Sequence, residues 1–140
     1  MQCKLANDTL VVRGFKGEDI IEIIKAACDK YDVKAGFVTG IGAVDQCSLG
    51  VFDVPSKVYH KNVFEGTYEV ASLVGNITQM DGKPYTHLHI VLADKHGNAF
   101  GGHLNDSRIS VTMELFIKVI DMKIDRELDE EIGINMMKFE

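Results

Sequence analysis

YTHLHIVLADKHGNAFGGHL, from Tyr85 to Leu104, holds two β-patterned runs around a short polar break. His87 and His89 are two residues apart in the first run, so on a strand both side chains project from the same face. The break, Asp94-Lys95-His96-Gly97-Asn98, suits a three-residue hairpin loop, a type I turn closed by Gly97 in the left-handed conformation of a G1 bulge. Asp94 then faces Asn98, and counting outward at constant register sets His89 opposite His103 and His87 opposite Asn105. Facing residues share a side of the sheet, which brings three imidazoles together, with the β-carbons of His89 and His103 about 5 Å apart. A two-residue loop would instead send His103 to the reverse face. Gly101 and Gly102 leave space beside His103 for a ligand or another backbone.

The preceding break, Met80-Asp81-Gly82-Lys83, has the form of a two-residue type I′ hairpin, which sets Asn76 opposite His87. Asn76 and Asn105 then flank that histidine, where their amides can orient a metal-bound water or a ring nitrogen; ordinary strand polarity is the plainer alternative. His87, His89 and His103 form a candidate facial tripod for a metal. Three neutral imidazoles suit Zn²⁺ first, and Ni²⁺, Cu²⁺, Fe²⁺ or Co²⁺ accept the same nitrogens; the missing fourth protein ligand leaves a position for water or substrate. The competing reading is a polar outer sheet face with three independent histidines. His60 and His96 lack equivalent partners and are expected to be exposed. No Asp or Glu is placed on the histidine face, so no general acid or base is assigned and enzymatic activity stays open.

Away from the histidines, TLVVRGF (Thr9 to Phe15) reads as a strand, and GEDIIEIIKAACDKYDV then takes helical spacing, with Ile20, Ile24, Ala27, Cys28 and Tyr31 on one stripe. Glu18 and Asp19 fall in its first turn, where carboxylates interact well with free amides. From Ala35 on, the pattern is β: AGFVTGIGAV, CSLGVFD, KVYHKNV, YEVASLVGNITQM, YTHLHIVLAD, AFGGHL and RISVTMELFIKVID. In the last, Ile109, Val111, Met113, Leu115, Ile117 and Val119 alternate with Ser110, Thr112, Glu114 and Lys118. Gly40 and Gly42 read as close-packing or bulge positions. The expected architecture is α+β: a large, mostly antiparallel sheet of about seven strands with one long covering helix. One helix cannot cover both faces of so wide a sheet, so part of its apolar surface is expected to meet another subunit.

The 140 residues, 46% hydrophobic and 26% charged, fit one domain over 1–140 without linker or repeat. Such a chain can bury a core large enough to need neither disulfides nor a structural metal. No apolar run approaches the roughly 18 to 20 residues that span a bilayer, and MQCKLANDTL lacks a basic head with an apolar stretch behind it, so neither membrane insertion nor secretion is expected. Cys3, Cys28 and Cys47, odd in number and far apart, suggest reduced thiols in a cytoplasmic setting. The net charge of −6 has the wrong sign for a protein that neutralises nucleic-acid phosphates. Much of it comes from Asp125 to Glu131 (DRELDEE), expected to be a solvated surface.

GIGAV (Gly40 to Val44), SLVGNI (Ser72 to Ile77), DGKPYTHLHIVLAD (Asp81 to Asp94) and GGHL (Gly101 to Leu104) together resemble the plant and prokaryote conserved (PPC) domain family. GEDI at the helix start and the closing DRELDEEIGI extend the resemblance over nearly the whole chain. It implies an α+β homotrimer whose prokaryotic branch binds metal through HxH and GGH histidines, which match His87, His89 and His103. Plant members carry a DNA-contacting AT-hook arm with an R-G-R-P core, a motif this sequence does not contain. A more distant similarity is to acetolactate decarboxylase, which implies a related fold and an open histidine-bound zinc. Two readings follow: a metal-binding protein with a small-molecule ligand or substrate, or a trimeric DNA-binding or regulatory module without the arm. A third is a structural scaffold.

Overall fold

Tight reversals at Asn7-Asp8, Asp81-Gly82 and Asp94 to Asn98 set the pairing of most of the chain. The computed structural model describes residues 1–139. Eight strands and one α-helix follow in the order β1 (Gln2–Ala6), β2 (Thr9–Phe15), α1 (Ile20–Tyr31), β3 (Gly36–Asp53), β4 (Val58–Met80), β5 (Lys83–Ala93), β6 (Ala99–Val119), β7 (Asp125–Asp129) and β8 (Ile134–Lys138). The first six form one antiparallel sheet in the order β1-β2-β6-β3-β4-β5. Because β6 also pairs with β5, strands β3 to β6 close into a ring. β7 and β8 make a separate hairpin packed against β4.

Three pairs of expected strands are continuous. AGFVTGIGAV and CSLGVFD merge into β3, bent by register shifts between Gly40 and Gly42 and between Val44 and Gln46. A side chain at Gly42 would meet the Thr112 carbonyl oxygen at 2.3 Å, so this is a close-packing position as well as a bulge. KVYHKNV joins YEVASLVGNITQM as β4, and AFGGHL joins the last run as β6. Bulges let long strands curl where the sequence suggested a break. β1, β7 and β8 had no counterpart in the expected set, so DRELDEE is partly strand.

The alternation expected in β6 fails at Val111, which is 69% exposed between buried Ile109 and Met113. Three β6 residues span the step from Val44↔Ile109 to Gly42↔Met113, and the backbone of Ile109 is bonded to Gly17 and Glu18. That irregularity turns Val111 outward.

The helix is twelve residues, shorter than the long element expected. Ile20, Ile23, Ile24, Ala27 and Cys28 are buried on the inner face of the sheet against Leu10, Leu88, Met113 and Leu115. Asp19 is its N-cap, accepting from the Glu22 amide at 2.9 Å, and its other oxygen accepts from the Ser107 amide at 2.7 Å. Glu18 lies before the helix rather than in its first turn, bonded to the N-terminal amine and the Phe15 amide. No helix of the described residues is long and apolar enough to cross a membrane.

Candidate metal centre

The bulged reversal forms as expected: Gly97 has φ +81°, its amide donates to the Asp94 carbonyl at 3.0 Å, and the Asp94 amide donates to the Asn98 carbonyl at 3.0 Å. Register runs from Ala93↔Ala99 to His89↔His103. The I′ turn at Asp81-Gly82, with φ +53° and +74°, carries register back to Asn76↔His87. His87, His89 and His103 therefore converge on the outer face of the sheet, with one nitrogen from each within 4.8 Å of the others. Their ring centroids are 5.1, 5.3 and 6.0 Å apart. His87 and His103 are half-buried and His89 is exposed.

Burial, and then the neighbouring His103, Arg126 and His89, push the His87 pKa down to about 4; burial followed by His89 lowers that of His103. Desolvation and like charges both disfavour the imidazolium. At neutral pH these two rings are thus neutral, the state in which imidazole ligates. Three imidazole nitrogens at this spacing are a donor set that a divalent cation of the zinc type fits.

Of the two asparagines expected to flank His87, Asn76 takes that place. The Asn76 side-chain oxygen accepts from Arg126 Nη2 at 2.8 Å, so it is committed to the guanidinium. Asn105 does not face His87. The β5–β6 pairing ends at His89↔His103, and on the β3 side register steps from Leu49↔Leu104 to Ser48↔Asp106, which leaves Asn105 as a bulged residue. Its oxygen accepts from the Tyr59 hydroxyl at 2.9 Å. Gly101 and Gly102 line the cavity; a β-carbon at Gly102 would meet the Gly50 carbonyl oxygen at 2.8 Å, so backbone uses that space. His60 and His96 are exposed, as expected.

The histidines open into a cavity of about 840 Å³. Three of its walls were missed from sequence. Tyr59 reaches His103, ring centroids 6.3 Å apart, by crossing Gly50, where a side chain would meet the tyrosine ring at 2.8 Å. Tyr85, opposite Thr78 on the histidine face, lies under Arg126 with the guanidinium carbon 4.8 Å from the ring centroid. Arg126 comes from β7, inside the run read as solvated acids. Its signal was present: DRELDEE, with its single base, is followed by Ile132-Gly133 and then the apolar-rich INMMK, a turn between two short runs. The neighbouring acids do stay at the surface, where Glu127 pairs with Lys138 at 2.7 Å.

This arrangement has close counterparts among solved structures. The chain is similar to a metal-containing protein of Archaeoglobus fulgidus (25% identity, TM-score 0.87, 99% of this chain and 97% of that one). It is also similar to a plant- and prokaryote-conserved protein of Pyrococcus horikoshii (29% identity, TM-score 0.83, 96% and 94%). A Bacteroides thetaiotaomicron protein provisionally named as DNA-binding superposes with TM-score 0.95 at 26% identity over 99% and 96% of the two chains. The likeness to Bacillus subtilis acetolactate decarboxylase, 16% identical with TM-score 0.56 over 83% of this chain and 54% of that one, concerns the fold alone. By sequence, 94 residues are 29% identical to the bifunctional protein GlmU of a Synechococcus strain, and the match spans only 14% of that protein's length. The model of the Plants and Prokaryotes Conserved domain matches residues 1–121, and the chain belongs to that family.

Proposed function

We propose that this chain is a metal-binding protein whose His87, His89 and His103 hold one divalent ion, Zn²⁺ first among the candidates, with an open position toward a small-molecule cavity. The observation that carries this reading is the convergence of three nitrogens from two adjacent strands within 4.8 Å. The metal-containing name of the Archaeoglobus relative supports it. When bound, such an ion supplies Lewis acidity toward a ligand oxygen. The protein's part is to present three imidazoles and to shape a cavity lined by Tyr59, whose hydroxyl is held by Asn105, and Tyr85. Metal analysis of protein purified without an affinity tag, wild type beside His89→Ala, tests it. About one equivalent is expected in the wild type and little in the variant; equal, negligible metal in both removes the reading.

We further propose a homotrimer. Val11, Phe116, Thr39 and Val74 form one transverse row across β2, β6, β3 and β4, flanked by Phe37 and Ile41, all exposed on the outer sheet face. Three free cysteines support a cytoplasmic location. DNA binding is the second reading, supported by the name of the Bacteroides relative. The net charge of −6 weighs against it. Failure to retain duplex DNA at low ionic strength would end it; retention that falls steeply with salt would favour it.

A further inference from the structure

The Arg126 side chain is held by three neutral acceptors. Nε donates to Thr78 Oγ1, Nη1 to the Asn135 carbonyl and Nη2 to Asn76 Oδ1, each at 2.8 Å. Those bonds use three of its five N–H donors and fix its plane over Tyr85. Among the described residues no carboxylate lies within ion-pair distance of it, although the hairpin that carries it is rich in acids: Asp125 pairs with Lys123 and Glu127 with Lys138. Asp129 accepts from the Ile132 amide. Three of the five acids of this segment thus have partners elsewhere, while its one arginine turns onto the histidine face.

The cavity that Arg126 shares with the three histidines is lined by no Asp or Glu. A half-buried guanidinium in a cavity without a carboxylate leaves a positive site without a compensating charge, and a bound dication would add to it. Unpaired charge removed from water is costly, so such a site favours an anionic ligand that supplies the missing partner. Val51, Phe52, Val91 and Ile134 line the same space, so the ligand's body is apolar. Two N–H groups remaining on one guanidinium match one carboxylate. A phosphate dianion needs a denser set of donors than a single arginine offers. Arg126 also lies beyond the residues matched by the family model, 1–121.

We propose that this cavity binds a short organic carboxylate, its carboxylate group on Arg126 and an adjacent hydroxyl or oxo oxygen directed toward the histidine centre, in which part the inference rests on the metal reading above. Arg126 is a binding residue for the ligand as well as the anchor of the β7–β8 hairpin.

Calorimetric titration of the full chain, with metal content measured on each sample, tests the proposal. The probes are pyruvate, 2-oxobutyrate and 2-hydroxyisovalerate, beside 2-oxobutyramide and inorganic phosphate. At least one acid is expected to bind metal-loaded wild type, and to bind Arg126→Met at least tenfold more weakly at the same metal content. The amide is expected not to bind. If Arg126→Met does not fold, Asn76→Asp serves: it keeps the side-chain shape, places a carboxylate on Nη2 and is expected to abolish acid binding with the fold retained. Binding by none of the three acids, equal binding by the variants, equal binding of the amide, or tighter binding of phosphate overturns the proposal. Should the wild type hold no metal, the metal reading fails separately; Arg126-dependent acid binding to that metal-free protein then sustains the carboxylate site, and its absence overturns it.

Discussion

Burial does most of the chemistry at single residues. His87 has its pKa lowered from 6.5 to about 4, so between those values the unfolded chain binds the proton and the folded one does not. Stability of the metal-free protein therefore falls as pH is lowered through that window. Urea midpoints measured from pH 7 to pH 4 are expected to show this decline, and His87→Asn to flatten it. If the three imidazoles hold an ion as proposed, the metal-loaded protein is expected to show the same dependence more strongly, because protons compete with the ion for them. Burial also pushes the Cys28 and Cys47 thiols up to about 12, whereas Cys3 is partly exposed. The thiolate is the reactive form, so a thiol reagent at pH 8 is expected to titrate one cysteine in the native protein and three in denaturant. Rapid reaction of all three without denaturant would contradict the buried placement.

At the level of elements, the reversal at Gly97 governs whether a centre exists. Its φ of +81° costs a residue with a β-carbon about 1–2 kcal/mol, so Gly97→Val is expected to lower stability by that amount and to weaken metal retention through slipped register. Thermal unfolding and metal content of the same sample check both effects. The helix depends on one residue in a similar way. Asp19 caps it and also accepts from the Ser107 amide, so Asp19→Ala is expected to lose about 1–2 kcal/mol or more, read by urea unfolding. The β5–β6 hairpin was legible because turn geometry is local: four to five residues dictate which positions face each other. Asn105 was misplaced because a bulge caused by a third strand, β3, interrupts that count, and nothing local to the hairpin encodes it. Val111 escaped its alternation for the same kind of reason, through bonds to the loop before α1.

Across the whole molecule, one face of the sheet is covered by α1 and the other only partly by the β7–β8 hairpin. The uncovered row is large and aromatic: Phe37 and Phe116 are each 51% exposed and Ile41 is 58% exposed. Apolar surface of this kind marks association sites. Light scattering is expected to report three chains per particle at micromolar concentration, and Phe116→Glu to shift the particle toward the monomer mass. A monomeric wild type would refute the assembly. The single helix and the wide antiparallel sheet were readable from the spacing of apolar residues, since burial on one face leaves a periodic trace.

The face shared by His87, His89 and His103 follows from strand parity and the one short reversal at Gly97, so it was present in the order of residues alone. Arg126 lies 23 residues after His103 and Tyr59 lies 28 residues before His87, each on a different strand from those histidines. Their approach depends on how β4 bends and where the last hairpin packs. Such contacts arise from the summed burial of many side chains, and no local pattern records which pair will meet.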